Sequence, residues 1–355
     1  MDTFRTGLDL GSRDPGITIG HRKKKTADDT DSADEICFFI RGICGFFFHL
    51  HPWQGIPMRG FRFLTGFCGG VFLTVSLLAI NLFQMSSLVI LPFSRKKFRA
   101  FNRFCANTWW GWCAIYAERF QGVHVVITGD AIPPDENAIV VANHRDYSDI
   151  VMLLCLGALK SRTGDMKWFV KDVLKYVPGV GWGMLFLDCI FVKRNWTADR
   201  DSVEKTFAKV KKDNIPIWLM SFLEGTRLTP KKLKASQRHM ARLNLTPTNH
   251  VMFPRTKGFV ASVRGLGSHI QAVYDVTIAH EGPVLKLWEL LKGDSRNVHL
   301  HVRRFPVLDL PQEDGALAEW VIALFAEKEK LLQSFEETGV FPAASGLFEP
   351  HSPKN

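Results

Sequence analysis

The sequence predicts an α/β domain, with a mixed β-sheet flanked by helices and an N-terminal membrane-anchoring helical segment. Three observations carry this. From about Gly122 onward, short runs of strand type alternate with helical ones. Thr65–Phe93 runs without a charged residue, and polar clusters follow directly on several strand-like runs. Strands alternating with helices place a sheet between helical layers, and an uninterrupted apolar run of about 20 residues or more is long enough for a hydrocarbon core of ~30 Å.

Composition agrees. The chain has 355 residues, 46% hydrophobic and 23% charged, a combination that points to apolar residues concentrated in one segment. Its net charge of +10 favours anionic surfaces or substrates. There is no zinc-finger spacing, RNP-like aromatic strand or long basic helix, so nucleic acid is not an expected partner. The seven cysteines are scattered, odd in number and without a CxxC, as expected of reduced thiols facing the cytosol.

Taken in order, residues 1–57 form a polar extension, expected to be disordered, with an apolar stretch over 36–50 that suits an interface or packs on the anchor. Residues 58–120 are assigned to the anchor. Thr65–Phe93 either spans the bilayer or bends at Gln84–Ser87 into a re-entrant hairpin. Arg95, Lys96, Lys97, Arg99 and Arg103 follow it, against Arg59 and Arg62 before, which places the C-terminal side in the cytosol. Trp109, Trp110, Trp112 and Tyr116 suit a helix at the headgroup layer. The α/β domain is expected over 121–342, with a flexible tail at 343–355. Strands are expected at 124–127, 138–142, 168–170, 190–192, 215–222, 270–278 and 298–305. Helices are expected at 150–159, 172–177 and 198–212. A last helix carries Leu317, Trp320, Val321, Leu324, Phe325, Leu331, Leu332 and Phe335 on one face and stops at Gly339.

The chemistry gathers after strands. Asn143-His144-Arg145-Asp146-Tyr147-Ser148-Asp149 lies between an apolar strand and a buried helix. At such a turn Asp149 can fold back onto the His144 ring, fixing its tautomer; the bland alternative is a capped turn, with Asp146 or Ser148 as cap. Glu224-Gly225-Thr226-Arg227 follows the run 215–222, Lys193-Arg194 follows 190–192, and Pro254-Arg255-Thr256-Lys257-Gly258-Phe259 makes a fourth cluster. Ligands of open α/β sheets sit at the carboxyl ends of strands, and arginine suits phosphate. Glu224 with Arg227 reads equally as a surface ion pair. There is no GxSxG, P-loop lysine or HExxH, and His299 and His301 are assigned to the solvent face of their strand. A base without a protein nucleophile suggests activation of a substrate hydroxyl.

Asn143-His144 with Asp149 resembles the NHxxxxD box of the glycerolipid acyltransferases. Phe191-Val192-Lys193-Arg194 resembles the second box, Phe222–Arg227 the third, and Ala272–Val276 holds the place of the fourth. Four boxes in order are a specific signal, and the likeness extends over roughly Met58 to Pro342. Lys171 with Leu174, Pro178 and Gly181, then Pro254–Phe259 and Val302–Pro306, resemble the eukaryotic lysophosphatidate acyltransferases, especially the gamma/delta-like and plant endoplasmic-reticulum branch. Leu223 replaces a common proline, Asp188 stands where many members have glycine, and Ala272 where the fourth box usually has proline; these departures resemble the same branch.

The resemblance implies transfer of an acyl chain from acyl-CoA to the sn-2 hydroxyl of lysophosphatidate in the endoplasmic reticulum membrane, with no metal or other cofactor. His144 would be the base and Asp149 its orienting partner. Arg227, Arg194 and Lys171 would hold the phosphate, Glu224 would position an arginine or a glycerol hydroxyl, and Gly225 and Thr226 would shape the acceptor site. Backbone N–H groups at the helix start after Ser148 are candidates for an oxyanion site. An ordinary imidazole, with a pKa of about 6.5, is available as a base at cytosolic pH. The expected partners are acyl-CoA, lysophosphatidate and the bilayer, and no protein partner is inferable. Another lysophospholipid acceptor, or hydrolysis of a thioester or lysophospholipid, are the competing readings.

Overall fold

The computed structural model describes residues 59–342, apart from 194, 195 and 295. The expectations for 1–57, Arg194 and 343–355 lie outside the described residues.

Strands β1 (His124–Gly129), β2 (Ala138–Ala142), β3 (Met166–Lys171), β4 (Ile190–Val192), β5 (Trp218–Ser221), β6 (Ala272–His280) and β7 (Asn297–Pro306) form one sheet of order β1-β7-β6-β2-β5-β3-β4. β2, β3, β4, β5 and β6 run parallel; β7 pairs antiparallel with β6 and parallel with β1. The carboxyl ends of the five parallel strands therefore share one edge, where the sequence clusters lie. Alternation along β2 feeds two cores: Ala138, Val140 and Ala142 face one, Ile139 and Val141 the other, as the strand period of two requires.

The first core is covered by helices α1 (Arg59–Ser86), α2 (Arg95–Ile115), α3 (Ser148–Leu159), α4 (Val180–Phe186) and α8 (Leu287–Leu291). The second is covered by α5 (Trp196–Lys212), α7 (Thr256–Leu266) and α9 (Asp314–Thr338). Helix α6 (Pro230–Arg242) lies between β5 and α7 in sequence and reaches the core through Met240. Gly339 ends α9 in the left-handed region, at φ 73°. Residues 172–176 form a 3-10 turn rather than the expected helix, and α4, α6 and α7 arise where no helix is expected. His299 and His301 are buried, not solvent-facing, because Phe335 of α9 and Phe341 after it cover them at ring distances of 4.8 and 5.1 Å.

Helix α1 reverses the usual amphipathic arrangement. Asn81, Gln84 and Ser87, at its C-terminal end and the turn beyond, face the body and are nearly fully buried, whereas Phe63, Phe67, Phe72, Val75, Leu82 and Phe83 are exposed. The buried polar groups are hydrogen-bonded: Gly179 N donates to Asn81 Oδ1 (2.9 Å), Asn81 Nδ2 to Gln84 Oε1 (3.1 Å), and Asn102 Nδ2 to Ser87 Oγ (2.9 Å). Among the described residues, the stretch Arg62–Val89 is the one helical segment long and apolar enough to cross a membrane. A 3-10 turn at Ser87–Val89 reverses the chain, and Ser94 then caps α2 by accepting from Lys97 N (3.2 Å).

The body accompanies α1 over its whole length. Arg62 pairs with Asp294 (3.0 Å) at its start, Trp109 Nε1 donates to Leu73 O (3.3 Å) and Ser76 Oγ (3.2 Å) at its middle, and Asn81 meets Gly179 near its end. Trp109 thus clamps α1 and Trp110 is buried, so these two tryptophans pack inward instead of lining a headgroup layer. Arg99 is tied to Asp188 (3.2 Å) and Asp213 (2.8 Å), and Arg103 to Asp165 (2.6 Å); part of the positive charge after α1 is therefore structural.

Candidate active site

The His144 turn is held by a buried carboxylate. Asp149, 1% exposed, accepts on Oδ2 from His144 Nδ1 (3.1 Å), Arg145 N (2.6 Å) and Asp146 N (2.8 Å), and on Oδ1 from His280 Nε2 (3.3 Å). Burial alone raises a carboxyl, but the donors from His144, His280 and the Asp146 backbone hold this one below its usual range. With Asp149 ionised, the imidazole carries its proton on Nδ1 and presents the Nε2 lone pair. Phe222 stacks on the ring at 4.0 Å and 15°, limiting its rotation. Neither expected cap forms: Ser148 donates its hydroxyl to Leu285 O, and Asp146 Oδ1 accepts from Leu287 N (3.1 Å). The N–H groups of Asp149 and Ile150 bond back to Asp146 O and Tyr147 O, so they do not serve as oxyanion donors in this conformation.

The backbone around His144 is braced from three sides. Asn143 behaves as an extra strand residue, donating Nδ2 to Ile278 O (3.0 Å) and accepting at Oδ1 from Ile278 N (2.8 Å). Leu228 N donates to His144 O (2.9 Å). Glu224 Oε1 accepts from His144 N (2.8 Å) and its Oε2 from Met252 N (3.1 Å). Glu224 is therefore no surface partner of Arg227: it is 4% exposed and both oxygens are committed to backbone. Burial pushes its carboxyl up to about 7, against the two N–H donors that favour the charged form. Gly225 has φ +71°, a conformation that favours glycine, and a Cβ there would come within 2.6 Å of Arg255 Nε, so a larger residue would also displace that side chain.

Arg227 lies over the Tyr147 ring (3.9 Å), with NH1 3.7 Å from Asp146 Oδ2. That separation exceeds a hydrogen bond, leaving the guanidinium fork open to an anion. Thr226 Oγ1 accepts from Lys232 Nζ (2.5 Å). The structure thus brings together His144, Asp149, Glu224, Gly225, Thr226 and Arg227. Lys171 is exposed at the end of β3, on the same edge but two strands from β2. Among the described residues no group of three or more His, Cys, Asp or Glu has metal-binding geometry.

His280 is the residue that sequence reasoning misses. It lies 131 positions from Asp149 and belongs to no box. Only the parallel register of β2 with β6, Ala142 opposite Val276, brings their ends together.

Two outcomes follow. His280→Asn removes the Nε2 donor and leaves Asp149 Oδ1 buried without it; kcat should fall about tenfold, as expected for an unsatisfied buried acceptor, while both KM values stay within about twofold. A proportional rise in either KM would instead make His280 a substrate contact. For Glu224, the unfolded carboxyl ionises near 4.5 and the folded one at about 7. Between these values the folded state holds the extra proton, so this residue's contribution to stability declines as pH rises and levels off above the window. The thermal midpoint of wild type relative to that of Glu224→Gln in detergent should therefore fall from pH 5 to 7.5; a relative midpoint flat across that range would contradict the assignment.

Comparison with known proteins places these features. The acyltransferase family model matches residues 124–280, and a model described as acyltransferase C-terminus matches 289–355. The 1-acyl-sn-glycerol-3-phosphate acyltransferase 2 of Arabidopsis thaliana is 34% identical over 280 residues, covering 77% of this chain and 72% of the relative. The mouse 1-acyl-sn-glycerol-3-phosphate acyltransferase gamma is 31% identical over 289 residues, covering 79% and 76%. The crystal structure of the 1-acyl-sn-glycerophosphate (LPA) acyltransferase PlsC from Thermotoga maritima is similar at a TM-score of 0.45 and 18% identity, covering 75% of this chain and 95% of that one. The chain belongs to the family of 1-acyl-sn-glycerol-3-phosphate acyltransferases.

Proposed function

We propose that the protein transfers the acyl chain of an acyl-CoA to the free sn-2 hydroxyl of 1-acyl-glycerol-3-phosphate, forming phosphatidate. The observation that carries this reading is the buried His144–Asp149 pair, with Nε2 free and the adjacent Ser148 hydroxyl committed to Leu285. His144 Nε2 takes the hydroxyl proton as the glycerol oxygen attacks the thioester carbon. Asp149 stabilises the resulting imidazolium. When the tetrahedral intermediate collapses, the C–S bond breaks and the imidazolium returns the proton to the sulfur, releasing CoA. Arg227 binds the acceptor's phosphate, with Lys171 and, by family resemblance, Arg194 as further candidate cations.

The bilayer supplies the acceptor. An apolar face along α1, attached to the body at its start, middle and end, supports a helix lying in the plane of one leaflet rather than crossing alone. Asp146, the partner of Arg227, also contacts Leu287 of α8, which packs on α1. The acceptor phosphate thus enters from the membrane side. We place the catalytic domain on the cytosolic face of the endoplasmic reticulum.

Purified protein given labelled acyl-CoA and lysophosphatidate should form labelled phosphatidate. His144→Ala should lower the rate about 1,000-fold, within the usual range for a general base. Free fatty acid released equally fast with and without acceptor would point to a hydrolase. A panel of lysophospholipids at fixed acyl-CoA distinguishes lysophosphatidate from larger headgroups. Asn195-Trp196-Thr197 and Asn244-Leu245-Thr246 are potential glycan acceptors; with a cytosolic domain neither should carry glycan. A glycosidase-sensitive mass shift lost in Asn195→Gln would place the domain in the lumen.

A further inference from the structure

Behind the Glu224–Arg227 loop lies an open cleft of about 570 Å³ between α6 and the start of α7. Lys232 and His239 project into it from α6, Arg255 and Lys257 from the opposite wall, and Glu224 closes its inner end. We propose that this cleft holds the phosphorylated nucleotide end of the acyl donor, an inference that rests on the acyl-CoA-dependent reaction above.

Charge is the first ground. Among the described residues none of these four basic side chains lies in an ion pair. Pro230–Arg242 adds Lys231, Lys234, Arg238 and Arg242 with no acidic residue. The acidic group in the cleft, Glu224, has both oxygens committed to the backbone N–H groups of His144 and Met252. Cations held around a cavity without counter-charges repel one another, and the arrangement favours an anion.

Size and position select which anion. A cavity of this volume falls in the range of sites for ligands of drug or nucleotide size, larger than a single phosphate needs. The acceptor's phosphate already has Arg227, on the side of Asp146 and α8. The cleft is walled instead by the start of α7, which packs on the face of the sheet opposite α1 and α2. With α1 on the bilayer as proposed above, this is the side away from it, open to a water-soluble donor. Through Glu224 its inner end is one residue contact from the His144 backbone. A flexible pantetheine arm leaving the cleft there would carry the thioester toward the base, while the nucleotide phosphates remain among Lys232, Arg255 and Lys257.

Lys257 gives the cleanest test, since it is exposed and lies outside the His144 bracing. In Lys257→Glu the KM for acyl-CoA should rise about tenfold, the scale of one charge-assisted contact. The KM for lysophosphatidate and the rate at saturating donor should stay within about twofold, and Lys257→Arg should restore the wild-type value. Free CoA should bind the wild type calorimetrically and bind Lys257→Glu about tenfold more weakly. Wild type should prefer acyl-CoA to acyl-3′-dephospho-CoA, and the preference should shrink in the variant. A raised KM for lysophosphatidate alone would make the cleft an acceptor clamp. Unchanged kinetics with weaker sedimentation on phosphatidylserine vesicles would make it a membrane contact; either result, or no change in any readout, overturns the proposal. Wild type that binds CoA yet makes no phosphatidate would overturn the reaction and leave the cleft assignment standing.

Discussion

The site depends on one buried carboxylate. Asp149 is almost fully enclosed, and an ionised group in that position is tolerated only when donors surround it. Two of its four donors are backbone N–H groups of the turn and two are imidazoles from different strand ends, His144 after β2 and His280 on β6. The same carboxylate thus orients His144 and closes its turn through Oδ2, and joins two neighbouring strands through Oδ1. Glu224 does the complementary work on the far side of the turn, holding His144 N and Met252 N. The two carboxylates behave oppositely because Asp149 has more numerous and partly chargeable donors, whereas burial dominates at Glu224.

On the proposed reading, the sheet separates two kinds of substrate chemistry. One of its faces carries the α1–α2 hairpin with its outward apolar surface, and the other carries α5, α7 and α9. Both open onto the edge where five parallel strands end, the crevice in which open α/β sheets bind ligands. A lipid acceptor and a soluble donor can then approach one imidazole from opposite sides without crossing. Asp188 shows how closely the hairpin is built into this plan. At φ 58° it occupies a conformation that favours glycine, and its side chain receives Arg99 of α2 and Lys209 of α5, linking the helical layers on the two faces.

Much of this was legible from residue order. Short apolar runs gave the buried strands, the charge-free run gave α1, and the spacing of Asn143, His144 and Asp149 with Glu224–Arg227 gave most of the polar site. What residue order hid was long-range. Glu224 beside Arg227 reads as a surface ion pair because nothing local reveals that both its oxygens meet backbone from distant segments. His280 is silent until the register of β6 against β2 is known. His299 and His301 alternate as solvent-facing residues would, yet the aromatic residues at the end of the chain fold over them. The tryptophans of α2 carry the composition of a headgroup belt, and only their contacts with Leu73, Ser76 and the core show that they clamp the hairpin.

The firm hold on His144 and the loose hold on Arg227 support the direct acyl transfer proposed above. A base acting on a substrate hydroxyl must be held in place before the acceptor arrives, because a misplacement of ~1 Å is costly when no covalent intermediate fixes the geometry. His144 meets that demand through Asp149, the Phe222 stack and a backbone held on both its N–H and C=O. Arg227 is held otherwise, by a ring beneath it and a carboxylate at 3.7 Å. A phosphate entering from the membrane side can draw the guanidinium off Asp146 into a bidentate contact at little cost, since a partly exposed pair at that separation contributes little. In the proposed mechanism, rigidity is thereby concentrated where the proton moves, and compliance where a lipid headgroup enters and leaves.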